Sequence, residues 1–148
     1  MKNLHRRSFL RKTALAAIGA AGLPLYVQAH QSAQKDLPEN LTILFQGDSI
    51  TDAWRHKDRY YPNDAYGMGN GYVYQIVAHL LGNYPGKKLR CYNRGISGNK
   101  VHQLAERWED DCLQLKPDIL SILIGVNDFW HTLSHNYKGT VKTYNKDF

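Results

Sequence analysis

Three short apolar runs, LTILF (41–45), KLRCYN (88–93) and DILSILIG (118–125), limit what this chain can fold into. The first and third are unbroken rather than alternating, the pattern of strands buried on both faces. Two segments of helical period lie between the runs. GYVYQIVAHLLGNY (71–84) sets Val73, Ile76, Val77, Leu80 and Leu81 on one face, with Gly82 as a C-terminal stop. VHQLAERWEDDCLQL (101–115) does the same with Val101, Leu104, Ala105, Trp108, Cys112 and Leu115. Strand, helix, strand, helix, strand calls for right-handed crossovers, and so for a parallel sheet with helices packed on its faces. The class is α/β, and 148 residues suit one domain.

The formal net charge of +6 invites a nucleic-acid or membrane-surface role. Its distribution removes the invitation. Positions 1–29 hold Lys2, Arg6, Arg7, Arg11 and Lys12 and no acid, so the rest of the chain is within one charge of neutral. HRRSFLRK (5–12) resembles a twin-arginine export signal, and TALAAIGAAGLPLYV (13–27) follows it. That stretch is shorter than the roughly 18–20 residues that cross a bilayer. VQA (27–29) offers a cleavage site, so 1–29 is expected to be a signal peptide and 30–40 a polar linker. A general secretory signal is the rival reading. Either implies a periplasmic or secreted protein, and the first implies the twin-arginine export machinery as a partner. An exported protein can hold a disulfide, but Cys91 and Cys112 are two cysteines only and are expected to be small buried residues.

In a parallel α/β sheet, functional groups collect at the carboxyl ends of the strands. GDSITD (47–52) follows the first run, and a strand-to-helix turn would expose and orient the Ser49 hydroxyl. NRGISGN (93–99) follows the second, a glycine loop whose amides could face an anion. GVND (125–128) follows the third, where the Asn127 side chain could donate into the same cleft. Singly, each has a plainer reading: a turn, a helix entry, a helix cap. Together they place a nucleophile, a glycine amide and an asparagine amide at three successive strand ends, the makings of acyl transfer with an oxyanion hole.

GDSIT, NRGISGN and GVND, in that order and spacing, resemble the first three blocks of the SGNH (GDSL) hydrolase superfamily. GDSITDAW, GNGYV, RWEDDCL and PDILSILIGVNDFW are similar to its acetylxylan-esterase-like branch, whose members remove acetyl groups from carbohydrates. The resemblance implies a three-layer α/β/α, flavodoxin-like fold. It makes Ser49 the nucleophile, with its own amide, the Gly98 amide and the Asn127 side chain forming the oxyanion hole, and leaves Asp48 to fix the turn. No metal or organic cofactor is implied, and the partner is a small-molecule or carbohydrate ester.

The family's fourth block, an Asp-x-x-His near the C-terminus that supplies the base and the residue orienting it, is expected to be absent. His131 and His135 follow GVND too closely to be that block, and the aspartates before them, Asp128 and Asp118, are expected to stand at the wrong spacing. The expectation is therefore an N-terminal portion of an SGNH domain (41–148), ending after about three strands and inactive on its own. HTLSH has the i, i+4 spacing of a helical zinc pair without a third ligand, and is expected on an exposed loop. The tyrosines of RYYPNDAYGMGNGYVY (59–74) could stack on sugar rings or pack their loop, and Trp130 could wall an acyl pocket or seal the core edge. The rival functions are a lipase or lysophospholipase-type esterase and a catalytically inactive periplasmic carbohydrate-binding protein.

Overall fold

The structure is a computed structural model, and it describes residues 37–147. The leader at 1–29 and most of the linker at 30–40 lie outside the described residues. Leu37 and Leu41 pack against the core, and the Asn40 amide donates to the Lys87 carbonyl at 2.7 Å.

The elements in chain order are β1 (Thr42–Gly47), α1 (Ser49–Asp52), α2 (Tyr72–Asn83), β2 (Arg90–Asn93), α3 (Val101–Glu106), α4 (Trp108–Asp111), β3 (Ile119–Leu123), α5 (Val126–Ser134) and α6 (Val141–Asp147). Both pairings are parallel and the strand order is β2-β1-β3, with Ile43 opposite both Cys91 and Ile119. The first strand in the chain is thus the middle strand in space. Its side chains alternate, and each set meets a different helical layer. Ile43 and Phe45 pack with Val73, Val77, Leu89 and Cys91, under α2. Leu44 packs on the other side with Tyr92 and Cys112, under Trp108 and Leu115. Helices on both faces of a parallel sheet make the expected α/β/α arrangement. The chain moves from β1 to one neighbour and then crosses back to the other, so the order reverses at β1.

Four details depart from the sequence expectations. Gly82 does not stop α2, which continues to Asn83 and is closed by the Tyr84 amide bonding to the Leu80 carbonyl. The helix foreseen over 101–115 is broken into α3, α4 and a 3₁₀ turn at Leu113–Leu115. The first break falls at Arg107, which leaves helical geometry while its guanidinium reaches inward to Gln46, Asn99, Asp111 and the Arg94 carbonyl. The third run forms a strand, but not one buried on both faces as its unbroken apolar pattern suggests. It is exposed, as expected of the third strand in a sheet ending there: Ile119, Leu120, Ile122 and Leu123 are each between 37% and 44% exposed. β3 is an edge strand among the described residues, paired with β1 on one side only. Lastly, HTLSH is not a loop, because α5 runs through Ser134.

Candidate active site

The turn after β1 is built for close packing. A Cβ on Gly47 would run into the Leu123 carbonyl and the Thr51 hydroxyl, so only glycine lets β1 end this near to β3. Asp48 caps the one-turn helix α1: its Oδ1 accepts from the Ile50 amide at 3.0 Å, and its own amide donates to the Leu123 carbonyl at 3.3 Å. Asp48 is buried while Ser49, the next residue, is exposed. Asp48 therefore fixes the turn and Ser49 is presented to solvent. Among the described residues the Ser49 hydroxyl has no hydrogen-bond partner.

The loop after β2 lies against this turn. The Ile96 amide donates to the Gly47 carbonyl at 3.0 Å. Asn93, at the end of β2, donates to the carbonyls of Thr51 and Met68 at 2.7 and 2.8 Å and accepts from the Gly95 amide at 2.9 Å. Arg55 Nε donates to the Gly95 carbonyl at 2.8 Å. Gly98 sits at the apex with φ +81°, in the left-handed region, with open space on its Cβ side. The third strand end joins through side chains. Asn127 Nδ2 donates to the Asn99 carbonyl at 3.0 Å, and the Asp128 carboxylate accepts from the Val101 amide at 3.1 and 3.3 Å. Gly125 takes the N-cap position of α5, so Asn127 is not a helix cap.

Three residues whose roles the sequence did not reveal hold these parts together. Arg107 Nε donates to Asn99 Oδ1 at 2.9 Å, Nη1 to Gln46 Oε1 at 2.9 Å and to the Arg94 carbonyl at 2.8 Å, and Nη2 reaches the Gly47 carbonyl at 3.4 Å. One guanidinium thus touches the ends of both β1 and β2. Asn93 ties β2 to the turn. Asp52, fully buried, accepts from the amide and the hydroxyl of Ser97 at 2.8 and 2.6 Å and pairs with Lys57 at 3.0 Å. Burial pushes its carboxyl up, but the Ser97 donors and Lys57 outweigh that and hold it below its ordinary 3.8. A sequence signal existed only in composition: an acid, an asparagine and an arginine placed beside apolar runs need partners.

Contrary to the expectation, Asp128 does stand three positions before His131, the Asp-x-x-His spacing, but the structure gives both residues other work. Asp128 closes the start of α3, and the His131 ring packs on His135 at 4.6 Å between centroids. Desolvation, Lys100 and His135 hold His131 below its ordinary value. Neither histidine bonds to Ser49. Cys91 and Cys112 are both buried and unbridged, and they lie on opposite faces of the sheet. A cavity of 340 Å³ lies between α5 and α6, and a second of 270 Å³ is lined by Val101, Leu104, Trp108 and Ile122. Neither includes Ser49.

The sequence profile of the GDSL-like lipase/acylhydrolase family matches residues 45–140, a span containing all three strand ends. The chain belongs to this family. An acetylxylan esterase of Geobacillus stearothermophilus is 46% identical over 89 residues, which are 60% of this chain and 40% of that protein. The crystal structure of that organism's acetylxylan esterase superposes with a TM-score of 0.67 at 36% identity, covering 76% of this chain and 53% of that one. A structure described as a GDSL-like lipase from Parabacteroides merdae superposes with a TM-score of 0.72 at 55% identity, over 76% of this chain and 51% of that one. The chain thus spans about half the length of the relatives it matches. Catalytic mutants of the Geobacillus esterase replace a serine, an aspartate and a histidine, the aspartate three positions before the histidine.

Proposed function

We propose that the protein is an exported serine esterase that removes acetyl groups from carbohydrate esters through an acyl-enzyme. The observation that carries this reading is the convergence of the turn at Ser49, the loop at Gly98 and the Asn127 amide at neighbouring strand ends, in a chain 46% identical to an acetylxylan esterase over 89 residues.

In this reading Ser49 Oγ attacks the ester carbonyl. The negative charge that develops on the carbonyl oxygen is met by the amides of Ser49 and Gly98 and by the Asn127 side chain. One N–H of Asn127 is held by the Asn99 carbonyl, which fixes the plane of the amide and aims the other N–H. Donors fixed before reaction need no rearrangement when charge appears, and that is why such groups matter more in the transition state than in the bound ester. The general base in this reading is a histidine with an aspartate beside it, supplied by further polypeptide; a histidine and an aspartate three positions apart are sites of catalytic mutants in the Geobacillus esterase. The leader-like segment HRRSFLRK supports export by the twin-arginine route to the periplasm or outside the cell.

The test is turnover of 4-nitrophenyl acetate and of acetylated xylo-oligosaccharides by the full-length protein and its Ser49→Ala variant. Release of acetate from the sugar, lost in the variant, supports the reading. Release that survives Ser49→Ala sinks it, and turnover of long-chain acyl esters alone would favour a lipase.

A further inference from the structure

Gly98 can donate to a substrate oxygen only if the peptide between Ser97 and Gly98 holds one orientation, and little in the loop itself secures that. Gly98 has open space on its Cβ side and a φ of +81° that glycine leaves freely, and Ser97 is exposed, so side-chain packing does not fix either residue. The turn is closed locally by one long bond, from the Asn99 amide to the Ile96 carbonyl at 3.2 Å. The neighbours Gly95, Ile96 and Asn99 are bonded to other elements, but Ser97 itself is gripped only from below. Oδ2 of Asp52 receives both the amide and the hydroxyl of Ser97, at 2.8 and 2.6 Å, and the Lys57 ammonium at 3.0 Å. The short hydroxyl bond is in the range of a charge-assisted one. Oδ1 is buried with no partner, so the carboxylate's entire investment is in the loop side.

We propose that Asp52 is the positioning residue of the oxyanion loop: its carboxylate, braced by Lys57, clamps Ser97 and thereby sets the direction of the Gly98 amide. This rests on the esterase reading for its catalytic consequence, though not for the clamp. An asparagine at 52 keeps one acceptor oxygen but loses the charge that strengthens both Ser97 bonds and attracts Lys57. Its NH2 group must also face either those donors or the unpartnered, buried position. The groups around the carboxylate are few: Ser97, Lys57, and Arg55, whose guanidinium lies within electrostatic reach and binds the Gly95 carbonyl of the same loop.

The experiment is hydrogen–deuterium exchange of the full-length protein, read in segments 94–99 and 42–47, together with kcat and KM for 4-nitrophenyl acetate. In Asp52→Asn, exchange across 94–99 should rise about tenfold or more while the β1 segment stays protected, and kcat should fall about 10- to 100-fold, a fraction of what one oxyanion donor is worth, with KM within about twofold. Unchanged exchange at 94–99 overturns the clamp, and faster exchange with an unchanged kcat overturns its catalytic role. Should Asp52→Asn loosen β1 as well, Lys57→Met and Ser97→Ala decide, because Lys57 is half-exposed and Ser97 is at the surface. A smaller loosening confined to 94–99 supports the clamp, and none overturns it. If Ser49→Ala leaves turnover unchanged, the esterase reading fails by itself and the exchange still judges the clamp.

Discussion

Asn127 and Asn99 are joined across two strand ends by a single bond, from the Asn127 side-chain amide to the Asn99 carbonyl at 3.0 Å. Asn99 is in turn held by Arg107 through its side chain. The proposed side-chain donor and the proposed glycine donor therefore share one scaffold, and a disturbance of either strand end is felt at both.

The first prediction follows from that bond. In the longer protein proposed above, Asn127→Ala should lower kcat about 10²–10³-fold, the scale of one oxyanion donor, with KM little changed. Ser49→Ala should remove turnover almost entirely. The 148 residues expressed alone should turn over no aryl acetate, since neither His131 nor His135 bonds to Ser49. Steady-state kinetics on the three proteins checks this, and a raised KM with normal kcat for Asn127→Ala would show ground-state binding instead.

Asp52 makes stability depend on acidity in a defined direction. Its carboxyl is held below its ordinary value of 3.8 in the folded protein, so the unfolded chain takes up its proton first as pH falls. The stabilisation is complete above the ordinary value and is lost as pH drops through the lower, folded one. Melting curves of wild type and Asp52→Asn should differ by a constant amount at pH 5–7 and converge in strong acid, below the folded value. A gap that stays constant down to the most acidic pH at which both still fold would disprove the assigned charge.

Gly47 should tolerate no side chain. A methyl group there meets the Leu123 carbonyl and the Thr51 side chain, both fixed parts of the sheet and the turn. Gly47→Ala should cost about 1–3 kcal/mol, the range for overpacking a tight site, and should loosen β3 more than β2. Equilibrium denaturation gives the cost, and a loss below measurement error would mean that the strand ends are softer than they look.

The two thiols should be silent in the native protein. Burial pushes Cys91 up to about 11, and burial together with Asp111 raises Cys112, so the reactive thiolate is scarce at neutral pH. Iodoacetamide at pH 7.5 should label neither until denaturant is added, as counted by intact mass. Rapid labelling of either one before unfolding would contradict its placement in the core.

The sheet was legible because unbroken apolar runs admit few alternatives, and LTILF does form the central strand with both faces covered. The three strand-end motifs were legible because glycine, asparagine and serine after such runs need a turn. What could not be read depended on partners distant in sequence. The break at Arg107 reflects bonds to Gln46 and Arg94, which helical period cannot anticipate. The exposure of β3 follows not from its composition, since DILSILIG is as apolar as LTILF, but from its place: a sheet of three strands leaves the third paired on one side only among the described residues, as expected for such a sheet. The helix over HTLSH continues α5, whose first turn is tied to α3 by Asp128 bonded to the Val101 amide, a contact spanning 27 positions that local sequence does not show.

The strand order also dictates a schedule. β1 is made first but stands in the middle, and its bond from the Thr42 amide to Asp118 closes a gap of 76 positions. The unit of β1, α2 and β2 needs only nearby chain and can form early, whereas closing the longer loop to β3 carries a larger entropic cost before any contact rewards it. The turn at Ser49 has the Leu123 carbonyl as one of its anchors. Among the described strands the nucleophile's turn should therefore lock late, when β3 docks, where the chemistry is proposed to begin.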